Sequence, residues 1–398
     1  MIKPIVVAAL ALALPAYGQS VTIGGTPSTG ETQGFMAMFG GDRFENFRHM
    51  DRFVPTSTMS PSPTPWNLGS NENSLKYSGD FLGKPTSVQS FIELSDTSAL
   101  LVIKNGKVIY ENYSHGDSVN ALHISFSMAK SFTSALTGIA LSEGHIDNLD
   151  DPIRKYLPEL TNASFDKVTV KQVLQMSSGI HFTEVYTDPD SDINRMTALV
   201  PPMSYLEYIN TLDRDHEPGT FNHYASINTQ LLGILLVRVT GKSISDYMTE
   251  KLWHPLGMEA EGQWILDEEG FELTMGGLAA SARDYAKLGL LYLNNGRRGD
   301  QQILTKDWVE KSVTPDEPHL MPGKNPASSN VSGYQYQWWT PRDWDSDFLA
   351  RGIWGQTIYV HPQNDVVIVK LAADQKNFDK RYKLAYIDYL QDMAQTLK

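Results

Sequence analysis

The stretch "SFSMAKSFTSALTGIALSEG", residues 125–144, places Lys130 three positions after Ser127 and follows the pair with a proline-free run of small and apolar residues. That run reads as a buried helix. A serine and a lysine one helical turn apart share a face, so the pair is either a nucleophile beside its base or the polar start of a core helix. Ser164 and Lys167, in "SFDK", repeat the spacing, which therefore does not choose by itself. The surroundings differ. Ser127 opens its helix, where free backbone N–H groups and the positive dipole end favour developing negative charge. Ser164 sits in "LTNASFDKVTVKQ", a loop running into a β-branched stretch, with Lys167 beside Asp166 and in solvent. Ser127 is the candidate nucleophile.

On either side of the helical middle lie strand signals. "SALLVIKNGKVIYENY" (98–113) holds two β-rich runs around Asn105-Gly106, a strong hairpin signal. "QTIYVHPQNDVVIVKLA" (356–372) is a second hairpin with a longer Pro-Gln-Asn-Asp loop. The last segment puts Tyr382, Tyr386, Tyr389, Leu390, Met393 and Leu397 on one helical face. No fixed-period repeat is visible. The expected fold is α+β: an antiparallel sheet built from both chain ends and flanked by helices, with a mostly helical second lobe.

The opening "MIKPIVVAALALALPAYGQS" reads as an export leader over residues 1–18: Lys3, an apolar run from Ile5 to Leu14, and Ala16 and Gly18 before a cut at Gln19. A periplasmic or secreted location is expected, with no membrane span once the leader is gone. Residues 19–95, rich in Ser, Thr, Pro, Gly and Asn, read as an irregular arm, and 96–398 as the main domain. There is no cysteine, which excludes disulfides, a thiol nucleophile and a thiolate metal site. The net charge of −13, or −14 once Lys3 leaves with the leader, argues against nucleic acid and anionic lipid as partners.

Two further stretches decide between the readings of Ser127. "EPGTFNHYASINTQLLGILLVRVTG" sets Tyr224 and Ser226 at the head of an apolar helix, and "LARGIWGQTIYVHP" sets Ala350-Arg351-Gly352-Ile353 ahead of the terminal hairpin. With Ser127 and Lys130 they resemble, in the right order, the three motifs of the serine β-lactamase and penicillin-binding-protein superfamily: Ser-x-x-Lys, Tyr-x-Asn/Ser and Lys/His-Thr/Gly-Gly. The resemblance spans about residues 90 to 398, supported by "LTGIALSEGHIDNLDDPIRKYLPEL", "VTVKQVLQMSSGI" and "GGLAASARDYAKLGLLYL". "YASINTQLLG" and "GIWGQTIYVHP" look most like the nylon-oligomer (aminohexanoate-dimer) hydrolase and esterase branch.

The resemblance implies a β-lactamase/transpeptidase-like fold and an acyl-serine reaction without metal or other cofactor. Ser127 would attack, Lys130 would serve as a base made less basic by burial, and Tyr224 would relay the proton. The backbone N–H groups of Ser127 and Ile353 would form the oxyanion hole. Ser226 would orient Lys130, with Gly352 and Trp354 beside the site. In "HFTEVYTDPDSD" Tyr186 matches a tyrosine that touches substrate in the nylon-oligomer hydrolases. Asp188, Asp190 and Asp192 there alternate like a calcium loop, but Ile193 and Leu199 stand where glycine and glutamate are needed, so a solvated acidic loop is expected. His123 and His223 are expected at the surface or behind the site, and Trp338, Trp339 and Trp354 as core and cleft walls. Two departures bear on substrate. Ser226 replaces an asparagine, and Ala350 replaces the cation opposite the nucleophile, which weakens the case for β-lactams. The expected activity is hydrolysis of small esters or amides. D,D-peptidase, D-aminopeptidase or β-lactamase action, or a silent binding protein on the same scaffold, are the alternatives.

Overall fold

Asn105 and Gly106 both take positive φ (50° and 69°), the backbone a tight hairpin turn demands. They join β1 (Thr97–Lys104) to β2 (Lys107–Tyr113) in a computed structural model that describes residues 34–70, 75–197 and 204–397. The export leader read over residues 1–18 lies outside the described residues. The remaining strands of the main sheet come from the other end of the chain: β3 (Gly333–Gln335), β4 (Trp338–Thr340), β5 (Phe348–Gly352), β6 (Gln356–His361) and β7 (Val366–Ala372). They assemble in the order β3-β4-β5-β6-β7-β1-β2, all neighbours antiparallel. The expected α+β layout, with its sheet drawn from both ends, is what the chain adopts.

Alternation along the strands assigns each face a core. Leu100, Val102, Val366 and Ile368 point to one side, where the closing helix α4 (Lys380–Thr396) lays down Tyr382, Tyr386, Tyr389, Leu390 and Met393. Leu101, Ile103, Val367 and Val369 point to the other, joining the larger core with α3 (Ala282–Leu293). Each such fully buried side chain contributes about 1.5–3 kcal/mol.

The helical lobe is organised around α1 (Ala129–Ser142), in which every residue from Ala129 to Ala140 is buried. A helix covered on all sides explains the small-residue composition of the stretch. Its hydroxyls find carbonyls: Ser131 donates to Gln337 at 2.7 Å and Thr133 to Thr274 at 3.1 Å. Beside it packs α2 (Ser226–Thr240). A small four-stranded sheet of Thr56–Met59, Gly262–Ile265, Leu278–Ala280 and His123–Ile124 leads directly into the Ser127 turn. Residues 34–59 hold a 3-10 turn (Phe35–Phe39), a short helix (Arg43–Arg48) and the first strand of that sheet. Among the described residues no helix is long and apolar enough to cross a membrane.

Candidate active site

Ser127 sits at a sharp turn. Ser125 N–H is tied to the Leu278 carbonyl at 2.7 Å, and the chain then turns at Phe126, whose φ is +45°. A bulky residue in the left-handed region costs about 1–3 kcal/mol. Packing holds it there: Phe126 is buried, with its ring 5.1 Å from Phe47 and 5.9 Å from Phe39. The turn Phe126–Met128 runs on into α1, so Ser127 N–H falls among the first donors of a helix start, which have no acceptor within the helix.

One turn into α1, Lys130 is 2% exposed. Its Nζ donates to Ser127 Oγ at 2.9 Å and to the Met275 carbonyl at 2.5 Å. Removal from water lowers its pKa to about 8, against an opposing pull from the Glu184 charge. Tyr224 faces the same point, its ring centroid 5.3 Å from Nζ. Burial, and then the charge of Glu184, push the Tyr224 phenol above its ordinary pKa, while hydrogen bonding with Ser127 and Ser226 pulls the other way. The ring is clamped by Trp339, stacked at 5.0 Å, and by Tyr334, edge-on at 6.0 Å. A lysine that gives up its proton easily therefore stands beside a tyrosine that holds on to its own.

Ser226 does not orient Lys130. It is the first residue of α2, and its N–H and Oγ donate to the two carboxylate oxygens of Glu184, at 3.0 and 2.7 Å. An anion at a helix N-terminus takes up free donors and is favoured by the dipole, which is why the hydroxyl turns to Glu184. Lys130 is instead positioned by the Met275 carbonyl. Tyr186 lies beside the nucleophile: its hydroxyl donates to Glu184 at 2.9 Å, it interacts with Ser127, and its ring lies 5.9 Å from Phe378. The loop carrying both groups is not wholly solvated. Asp188 and Asp190 are exposed, but Asp192 is buried. Its carboxylate accepts from Thr183 N–H and Oγ, both at 2.7 Å, and from Tyr208 at 2.8 Å. Asp192 thus ties down the loop that presents Glu184 and Tyr186. Among the described residues no group of three His, Asp or Glu could hold a metal ion.

The end of β5 closes the opposite wall. A Cβ on Gly352 would stand 2.2 Å from the Ser125 carbonyl, so only glycine lets the strand approach the nucleophile turn this closely. Ile353 opens the turn Ile353–Gly355, and Trp354 next to it has φ of +64°. Each proposed oxyanion donor thus neighbours a bulky residue in the left-handed region. Ala350 is buried in the core. Arg351 points to the other face, its guanidinium carbon 3.9 Å from the centre of the Trp339 ring. Of the two remaining candidates, His223 bonds the Phe182 carbonyl at 2.8 Å. His123 is fully buried, in the core rather than at the surface, with burial lowering its pKa to about 4. Ser164 lies in a separate 3-10 turn (Ala163–Phe165), and Lys167 is exposed.

A cavity of about 270 Å³ opens beside Ser127, walled by Ile353, Trp354, Phe378 and Met275, and by Phe35, Met36 and Phe39 from the N-terminal segment. Sequence reasoning missed Glu184, the Met275 carbonyl and these three apolar residues. Glu184 left one signal: it is a carboxylate two positions before Tyr186.

A family model for beta-lactamase matches residues 95–391. The chain is 30% identical over 291 residues to a 6-aminohexanoate-dimer hydrolase of Paenarthrobacter ureafaciens, covering 71% of this chain and 74% of that one. A Bacillus anthracis protein assigned as a 6-aminohexanoate-dimer hydrolase superposes with a TM-score of 0.82 at 26% identity, over 94% of this chain and 99% of that structure. A penicillin-binding protein of Bacillus halodurans, 17% identical, shares the fold with a TM-score of 0.58 over 76% of this chain and 98% of its own.

Proposed function

The chain belongs to the beta-lactamase family, whose members carry out serine-hydrolase-type reactions on small substrates, and we propose that it cleaves esters and small amides through an acyl-serine intermediate. One observation carries this: a buried lysine with a lowered pKa hydrogen-bonded at 2.9 Å to the hydroxyl of a helix-start serine. Neutral Lys130 takes the proton from Ser127 as Oγ attacks the carbonyl carbon. The N–H groups of Ser127 and Ile353 face the oxygen that gains charge. Tyr224, kept protonated by its surroundings, gives its proton to the leaving alcohol or amine and recovers one from Lys130. Water then attacks the acyl-serine with the same groups acting in reverse. Glu184 fixes Ser226 and Tyr186 and favours the charged Lys130 that forms in the first step. The relatives named as 6-aminohexanoate-dimer hydrolases support including amides. The intact set of Ser127, Lys130 and Tyr224 weighs against a silent binding protein. The leader read in residues 1–18 supports action in the periplasm or outside the cell.

A fluorophosphonate probe tests the nucleophile. Mass spectrometry should find one adduct, on the tryptic peptide containing Ser127, and none in Ser127→Ala. Labelling on Ser164, or unchanged labelling in Ser127→Ala, overturns the assignment.

A further inference from the structure

The cavity beside Ser127 is walled on one side by a segment that lies outside the stretch matching the family model, which begins at residue 95. That segment is the 3-10 turn Phe35–Phe39. It is pinned from behind. Gly34 N–H bonds the Phe53 carbonyl at 2.9 Å, the Asn46 amide donates to the carbonyls of Met38 and Gly40 at 3.1 and 2.7 Å, and Met38 is fully buried. A 3-10 turn aligns residues three apart, so with Met38 inward, Met36 and Phe39 share a different edge. Phe39 lies along Trp354, with ring centroids 6.0 Å apart and planes within 16°. Met36 is 60% exposed and Phe378, another wall of the cavity, is 39% exposed, so two apolar side chains flank its mouth.

Which part of a substrate enters follows from the walls. Ser127 and Ile353 line the cavity and Tyr224 does not. On the proposed reaction Tyr224 protonates the leaving group, so the cavity lies on the acyl side of the scissile bond. Its lining is mostly aromatic and aliphatic, and Glu184 and Lys130 are not part of it. At ~30 Å³ for a water-sized group, the volume holds roughly nine such groups. We infer that the N-terminal turn Phe35–Phe39 completes an acyl-binding pocket selecting uncharged, medium-length or aryl acyl groups, with Met36 closing over the bound chain. This rests on the acyl-serine reaction proposed above.

The test compares kcat/KM for the p-nitrophenyl esters of acetate, butyrate and hexanoate in the parent protein, Met36→Lys and Met36→Leu. A fully buried methylene is worth up to about fourfold, so the parent hexanoate-to-acetate ratio should exceed tenfold. Met36→Lys should lower that ratio at least fivefold and Met36→Leu should restore it. Met36 is at the surface, and equal melting temperatures across the three proteins check that the fold is kept. A parent ratio near one, or a ratio unmoved in Met36→Lys, overturns the pocket while leaving the reaction standing. Hydrolysis of none of the esters by the parent overturns both.

Discussion

Changing pH tests the base directly. With a pKa of about 8, Lys130 is neutral in roughly 9% of molecules at pH 7, whereas an ordinary lysine of pKa ~10.4 would be neutral in ~0.04%. The buried setting therefore enriches the active form about 200-fold. Lys130 is charged below its pKa and useless as a base there, so kcat/KM for p-nitrophenyl butyrate should climb about tenfold per pH unit up to near pH 8 and flatten by ~9. The midpoint belongs to the coupled pair of Lys130 and Tyr224. Because Tyr224 is pushed up rather than down, no descending limb is expected below pH ~10. Lys130→Arg keeps the positive charge but cannot release its proton in this range. It should lose about 10²–10⁴ in kcat/KM and the ascending limb with it. Stopped-flow or steady-state assays from pH 5.5 to 9.5, on enzyme shown to be folded at each pH, provide the measurement. A limb that survives in Lys130→Arg, or a parent midpoint near 10, refutes the assignment of Lys130 as base.

Glu184→Gln removes the charge that holds the Lys130 pKa up, so the ascending limb should move to lower pH; a shift upward in the same pH–rate assay would contradict the role given to Glu184. Gly352→Ala forces a methyl group to within 2.2 Å of the Ser125 carbonyl, and both melting temperature and kcat/KM should fall, the latter by an order of magnitude or more. Ala350 offers no cation to a β-lactam carboxylate, a contact worth about 1.5–3 kcal/mol. Nitrocefin should therefore give a smaller kcat/KM than p-nitrophenyl butyrate on one preparation; the reverse order would point to Arg351 acting as the missing cation.

How far the site could be read in the sequence depended on how local its causes are. Ser127 and Lys130 are three residues apart on one helix, and Tyr224 is defined by the turn that heads another, so short patterns exposed them. Asn105-Gly106 exposed the first hairpin in the same way, because the turn is fixed by two residues. Ser226 was expected to orient Lys130, but its partner lies elsewhere in the chain. Its hydroxyl answers to Glu184, 42 positions earlier, and only the loop anchored by Asp192 brings that carboxylate to the start of α2. The direction of Arg351 follows from strand register, with Arg351 opposite Thr357 and Ala350 opposite Ile358, and registers of paired strands are not written in either strand alone. The Phe35–Phe39 wall has no periodic signal, since a single 3-10 turn is too short to make one.

The junction between β1 and β7, where Lys104 pairs with Val366, joins residues 262 positions apart. Sheets closed by such distant partners fold slowly, because the loop must be ordered before the contact rewards it. At ~5–20 residues per second a ribosome needs roughly 13–50 s to travel from one partner to the other. For most of that interval Ser127 and Lys130 have already been made, while β5 and the Ile353 turn that follows it have not. The nucleophile pair thus precedes its facing wall in synthesis, and the site is complete only once the last fifth of the chain has been made.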